Sequence, residues 1–301
     1  MHDLIIIGGG PAGLTAALYA ARAGVKPLVL ESLTCGGQTI TTSEIENYPA
    51  VQKIEGWRFA DDLRRQAESF GTDIRMEAVT GFAVQDDIKT VTTKKGSYEA
   101  KTVIIANGAK RRKLGCPGEE EYLGRGVSYC GVCDGNFFRG RTVCVIGGGN
   151  TALEDALYLA EICEKVYLIY RRGALRVQSI EADRVLAHEK IEILYSSLPE
   201  KIYGEGRVQG VTLQRTDGGE SYDLAVDAVF VAIGMEPENE IFADVIELED
   251  GYIKAGENCE TNVPGVYAAG DTRTKHLRQI ITAASDGAIA ATAAAAYIRT
   301  M

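Results

Sequence analysis

The feature that most constrains this 301-residue chain is a strand, glycine turn and helix that occur twice, 139 positions apart. In the first copy Leu4-Ile5-Ile6-Ile7 runs into Gly8-Gly9-Gly10-Pro11-Ala12-Gly13. A helix from Leu14 to Ala23 stops at Gly24, and a second strand runs from Pro27 to Glu31. In the second copy Val143–Ile146 leads into Gly147-Gly148-Gly149-Asn150-Thr151-Ala152. Ala156-Leu157-Tyr158 then repeats Ala17-Leu18-Tyr19, and Val166–Tyr170 forms the second strand. Glycines between a strand and a helix permit a tight turn, let the backbone approach a pyrophosphate, and leave the helix N-terminus free to bind it. In this context each turn reads as a dinucleotide site, and two such turns imply two nucleotides.

The second strands end differently. Glu31 closes the first, where a carboxylate accepts hydrogen bonds from an adenosine ribose and repels a 2′-phosphate, suiting FAD or NAD. Tyr170 closes the second and is followed by Arg171-Arg172, with Arg176 shortly after. Guanidinium groups there offer forked donors to a dianion, which suits NADPH.

Each glycine unit continues in the same way. The first is followed by an amphipathic helix, Trp57 to Phe70, by alternating strands Val79–Val84 and Lys89–Thr93, and by a strand Thr102–Ala106 ending in Asn107-Gly108-Ala109. The second is followed by Val208–Gln214, a turn at Asp217-Gly218-Gly219, and Ala228–Gly234. The last strand, Val266–Ala269, ends in Gly270-Asp271 and precedes a helix from about Gln279 to Ile298, which must return to the first half. The expected fold is α/β: two Rossmann-like dinucleotide-binding domains of three-layer ββα architecture, one inserted into the other. The expected boundaries are 1–112 with 243–301 for the FAD domain and 113–242 for the inserted NADPH domain.

Thirty-four glycines against seven prolines, with 46% hydrophobic residues, fit a folded protein with many tight turns. A net charge of −10 argues against a nucleic-acid partner. The N-terminus enters a strand directly, without a basic leader, and the alanine-rich tail is interrupted by Asp286 and too mildly apolar to cross a bilayer, so a cytoplasmic protein is expected. Five of seven cysteines are scattered, unlike a secreted disulfide framework.

The other two stand in Ser128-Tyr129-Cys130-Gly131-Val132-Cys133-Asp134-Gly135. This spacing lets two thiols open and close a small, readily reduced ring. A zinc site would need a second ligand pair, which the remaining cysteines and three histidines do not supply, so no metal is expected. Asp134 reads either as an acid that holds a proton for a leaving thiolate or as a turn-capping residue. Phe137-Phe138-Arg139 reads equally as exposed aromatics for a partner or as a buried lead-in to the next strand.

In order and spacing these motifs resemble the low-molecular-weight, bacterial-type thioredoxin reductases, class II pyridine nucleotide-disulfide oxidoreductases, over essentially the whole chain. Gly36-Gly37-Gln38, Glu46-Asn47-Tyr48-Pro49, and Thr261 to Asp271 followed by Arg278-Gln279 complete the match. The resemblance implies a homodimer in which electrons pass from NADPH to FAD, to Cys130–Cys133, and to thioredoxin or a similar small protein, the disulfide and nicotinamide taking turns at the flavin as one domain rotates. It places FAD on Gly8, Gly10, Pro11, Ala12, Gly13, Glu31, Gly37, Gln38, Asn47, Gly108, Gly270 and Asp271, with Arg278 and Gln279 beside the flavin. NADPH falls to Gly147, Gly149, Asn150, Thr151, Arg171, Arg172 and Arg176. The resemblance further implies that Cys133 faces the flavin ring and that Asp134 is the acid. The chain departs from the common pattern in Tyr170 where histidine is frequent, Leu277 where an aromatic is frequent, and Gly131-Val132 where alanine-threonine is frequent. The same fold also accommodates a ferredoxin-fed reductase, to which a 2′-phosphate site is useless, and a thiol oxidase that uses oxygen. A nucleotide-binding redox sensor without turnover is the non-enzymatic alternative.

Overall fold

The computed structural model describes residues 1–42, 44–175 and 179–301. The chain begins with β1 (His2–Ile7), α1 (Pro11–Arg22), β2 (Pro27–Glu31), α2 (Gly56–Ser69), β3 (Asp73–Met76), β4 (Val79–Gln85), β5 (Ile88–Thr93), β6 (Gly96–Ile105) and β7 (Ala109–Arg111). Next come β8 (Val127–Ser128), α3 (Gly131–Asp134), β9 (Thr142–Ile146), α4 (Asn150–Ile162), β10 (Lys165–Ile169) and α5 (Ile180–Ala187). Then follow β11 (Ile191–Leu194), β12 (Ser197–Gly204), β13 (Val208–Arg215), β14 (Tyr222–Ala225), β15 (Ala228–Val231) and β16 (Met235–Pro237). The chain ends with β17 (Leu248–Glu249), β18 (Tyr252–Ile253), β19 (Val266–Ala268) and α6 (Ile280–Ile298).

Two compact units result: Met1–Lys110 with Glu236–Met301, and Arg111–Met235. The expected boundary after residue 242 is therefore displaced, and the one after 112 shifts by two residues. The reason is packing. Phe242 is fully buried in the first unit, its ring edge-on to Phe82 at 5.6 Å, so the chain has re-entered that unit before it.

In the first unit β1 lies between β2 and β6 in parallel, β3 extends the sheet beyond β2, and β19 pairs with β6, which brings the last strand home. Alternate side chains of β1 serve two cores: Leu4 and Ile6 pack under α1 and α6, while Ile5 and Ile7 pack on the opposite face. A strand covered on both sides must be apolar throughout, which is why Leu4–Ile7 is an unbroken aliphatic run. On that opposite face β4 and β5 extend antiparallel from β6. Helices α1 and α6 meet through alanines, and a Cβ added to Gly287 would lie 2.2 Å from the Ala12 carbonyl oxygen. By length and a mean hydropathy of 1.2, α6 is apolar enough to cross a bilayer, contrary to the expectation from composition. Its burial of Asp286 and its alanine contacts with α1 make it a core helix.

The second unit repeats the plan. Parallel strands in the order β11-β10-β9-β15-β8 carry α4 and α5 on one face and the antiparallel sheet β12-β13-β14 on the other. Along β9, Val143 and Val145 face the helices, whereas Cys144 and Ile146 face the antiparallel sheet. This is the three-layer arrangement expected from the sequence.

Candidate functional site

In the first unit the chain turns from β1 into α1 with Gly8 at φ +106°, a conformation that favours glycine. A Cβ on Gly8 would lie 2.3 Å from the Ala106 oxygen, and one on Gly13 would lie 1.9 Å from the Gly8 oxygen, so the turn is closed by backbone on backbone. Gly10 is the N-cap of α1 and Pro11 opens the helix, with no side chain capping its free amides. Those amides and the helix dipole form an anion site. Ala12 packs against the position where Gly270 would carry a Cβ, 2.9 Å away, so the last strand ends on this same turn.

Glu31, at the end of β2, accepts the Gly9 amide at 2.7 Å through Oε2 and the Leu33 amide at 3.0 Å through Oε1. This fixes its carboxylate above the turn and leaves lone pairs for a ribose hydroxyl. Gly37, at φ +55°, lies where a Cβ would approach the Gly10 Cα at 3.4 Å, and Gln38 donates its amide to the Ala109 oxygen next to Gly108. Asn47 Nδ2 donates to Gln279 Oε1 at 3.0 Å, and Gln279 is the N-cap of α6. The guanidinium of Arg278 stacks 4.2 Å over the Tyr252 ring, with its buried Nε unpaired among the described residues. Thus Gly8 to Gly13, Glu31, Gly37, Gln38, Asn47, Gly108, Gly270, Asp271, Arg278 and Gln279 all belong to one unit, and several touch. A cradle closed by near contacts at Gly8, Gly13 and Gly270, the uncapped α1 amides and a guanidinium nitrogen unpaired among the described residues fit a dinucleotide.

The device that holds Gly270-Asp271 is not legible in the sequence. Asp286 on α6 accepts the Gly270 amide at 2.9 Å, Arg273 Nε at 2.9 Å and Nη2 at 2.8 Å, and Lys275 Nζ at 2.8 Å. Burial pushes the Asp286 carboxyl upward, but the hydrogen bonds from Arg273 and Lys275 win and hold it below the usual carboxylate range.

In the second unit Gly147 has φ +150°, and a Cβ there would lie 2.3 Å from the Ala232 oxygen. Gly149 caps α4 without a side-chain bond, and Asn150 and Thr151 are exposed at its first turn. The Tyr170 ring fills the space beside Gly148, where a Cβ would meet it at 2.1 Å, which explains an aromatic ring directly before the arginines. Arg171 is exposed and Arg172 half-buried with Nη1 unpaired among the described residues, while Thr216 Oγ1 and the Ser196 amide hold their carbonyls at 3.0 Å. This end of the strand fits a bound anion. Arg176 lies outside the described residues.

Cys130 and Cys133 form a disulfide, with Cys130 as N-cap of the short turn α3 and its Sγ accepting the Cys133 amide at 3.2 Å. The turn sits on α4: a Cβ on Gly135 would strike Leu159 at 2.8 Å and Tyr158 at 3.1 Å. One helix therefore carries both the second glycine turn and the seat of the disulfide. Asp134 accepts Ser128 Oγ at 2.6 Å through Oδ2, while Oδ1 is buried and unpaired among the described residues. Burial pushes its carboxyl up, against the opposing pull of Ser128 and Arg111. A carboxyl that favours its proton, beside a disulfide, can serve as an acid. Ser128, two residues before Cys130, was legible as a hydroxyl near the pair; Asp155, buried under Gly131 from α4, was not, because only packing brings it there.

A chain able to seat one dinucleotide in each unit and to open a disulfide on the second is, in class, a nucleotide-dependent disulfide oxidoreductase. Residues 2–287 match the pyridine nucleotide-disulphide oxidoreductase family, and the chain belongs to it. Thioredoxin reductase from Treponema pallidum (strain Nichols) is 45% identical over 301 residues, covering 100% of this chain and 98% of the relative. That of Listeria monocytogenes serovar 1/2a is 43% identical over 300 residues, covering 99% and 94%. The crystal structure of thioredoxin reductase from Streptococcus pyogenes MGAS5005 superposes with a TM-score of 0.95 at 42% identity, covering 100% and 99%.

Proposed function

We propose that the protein is a thioredoxin-disulfide reductase, a flavoprotein passing electrons from NADPH through FAD to Cys130–Cys133 and on to a thioredoxin-like protein. The observation that carries this is the disulfide itself, closed on the helix that opens at the second glycine turn and backed by Asp134, whose carboxyl burial pushes upward.

FAD supplies, when bound, the two-electron relay between a nicotinamide hydride and a disulfide. The amides of Gly10, Ala12 and Gly13 would bind its pyrophosphate, Pro11 having no N–H to give, Glu31 would take its ribose, and Gly270-Asp271, anchored by Asp286, would line the remaining cradle. In the second unit the α4 amides from Gly149 to Thr151 bind the NADPH pyrophosphate, and Arg171 and Arg172 take the 2′-phosphate. Two electrons break the Cys130–Cys133 Sγ–Sγ bond, and Asp134 gives a proton to the sulfur that leaves. A thiolate of the pair then attacks the partner's disulfide; the second cysteine resolves the mixed disulfide, re-forming Cys130–Cys133 and releasing the partner as a dithiol. Val132 and Phe137 are 44% and 49% exposed beside the pair and suit a docking partner, whereas Phe138 packs edge-on to Phe230 at 5.8 Å.

The test is NADPH-driven reduction of a thioredoxin by wild-type protein and by Cys130→Ser and Cys133→Ser. Both variants should retain flavin and lose partner reduction; turnover in both would refute the dithiol route. A homodimer is the expected assembly, the open face of α6 at Ala288, Ile289, Thr292, Ala293 and Ala296 offering apolar surface to a second copy, and sedimentation checks it. A cytoplasmic location agrees with five cysteines left as free thiols.

A further inference from the structure

We infer that Asp155 is a positioning residue for the Cys130–Cys133 pair, holding the Gly131 peptide from beneath and setting through its charge how readily the disulfide is reduced. The inference rests on the dithiol being the working redox group.

Asp155 lies on α4, 6% exposed, and its carboxylate faces the residue that opens α3. A Cβ on Gly131 would sit 2.6 Å from Oδ1 and 2.8 Å from Cγ of Asp155. A side chain at position 131, between the two cysteines, would therefore have to displace the Asp155 carboxylate. The four-residue turn has a carboxyl at each end, Asp155 buried under Gly131 and Asp134 half-buried beside Ser128. Cys130 is the N-cap of this turn, so a charge under Gly131 acts on the peptide that positions its sulfur.

Burial raises the Asp155 carboxyl to about 6, opposed by the Gly131 amide and reinforced by the neighbouring Glu154 charge. The other charged side chains on elements packed against α4 are Asp134 on α3, Lys165 paired with Glu192 on β10 and β11, and Glu181, Asp183 and Arg184 on α5. Reduction breaks the Sγ–Sγ bond with two electrons and takes up two protons when both sulfurs end as thiols. Where one sulfur of the reduced pair remains a thiolate and only one proton is taken up, an ionised Asp155 repels that charge, so it opposes reduction above its pKa and ceases to do so below it.

The experiment equilibrates the whole protein with reduced and oxidised glutathione, without nucleotide or partner, and counts thiols at pH 5 and pH 8. At pH 8 Asp155→Asn should be easier to reduce by about tenfold in the equilibrium constant, about 30 mV, and at pH 5 the two proteins should agree within about twofold. Equal ratios at both pH values, or no difference at either, would overturn the inference. If neither protein exchanges with glutathione, the dithiol reading itself fails instead, and the inference falls with it. A second comparison uses Gly131→Ala. It should change that constant by at least about tenfold with Asp155 present and by under about twofold in Asp155→Ala, because the two closest contacts are gone and only the residue 155 Cβ, at 3.1 Å, remains. The same change in both backgrounds would refute the coupling.

Discussion

Replacing Asp286 by asparagine keeps the volume of the side chain and removes its charge. Arg273 and Lys275, with side chains 5% and 6% exposed, would then be two buried cations without an anion. Breaking a buried pair in this way costs about 3–5 kcal/mol, because the stranded charges have lost water and gained nothing. For a unit of this size each kcal/mol moves the midpoint by roughly 2–4 °C, so thermal unfolding followed by circular dichroism should shift down by about 6–20 °C. Flavin should also be lost, since Asp286 anchors the Gly270 amide. The control is Glu68→Gln, which breaks the exposed helical pair with Arg64 and should cost only about 0.3–0.5 kcal/mol. The sign with pH follows from the depressed carboxyl: its stabilisation is full above the ordinary aspartate range and is lost as pH falls through the lowered native value. An Asp286→Asn shift no larger than that of Glu68→Gln would refute the reasoning.

Three further outcomes follow from the sites. Arg171→Ala with Arg172→Ala should raise the KM for NADPH by at least about tenfold, each charge-assisted bond contributing about 1.5–3 kcal/mol, and leave that for NADH nearly unchanged. Gly13→Ala should empty the flavin site, since its methyl would lie 1.9 Å from the Gly8 oxygen; flavin absorbance per chain measures this, and Gly256→Ala, whose methyl would meet only the Asn258 side-chain oxygen at 3.6 Å, should keep its flavin. Asp134→Asn should slow partner reduction by about 10²–10⁴-fold while NADPH still bleaches the flavin. With Asp134 intact, the rate should fall as pH rises through its elevated pKa, because the donating form is the protonated one.

Both glycine turns were legible because everything they need is local: an aliphatic strand, glycines where backbone meets backbone, and an apolar helix. The inserted topology was also legible, from a helix at about Gln279 to Ile298 that had to return to the first half. The second crossing was placed late because Phe242 looks like any apolar residue after a turn until Phe82 is found against it. Asp286 read as an interruption of an alanine-rich helix, since its cationic partners at 273 and 275 precede it by a loop and only folding joins them. Gly131 stood out as a departure from the commoner residue without a cause, and Asp155 beneath it supplies one.

The central claim is that NADPH electrons reach Cys130–Cys133. The most direct measurement is a thiol titration of the denatured protein after anaerobic mixing with NADPH. Five free cysteines and one disulfide predict five thiols per chain before mixing and seven after it. A count that stays at five while NADPH is oxidised would contradict the account.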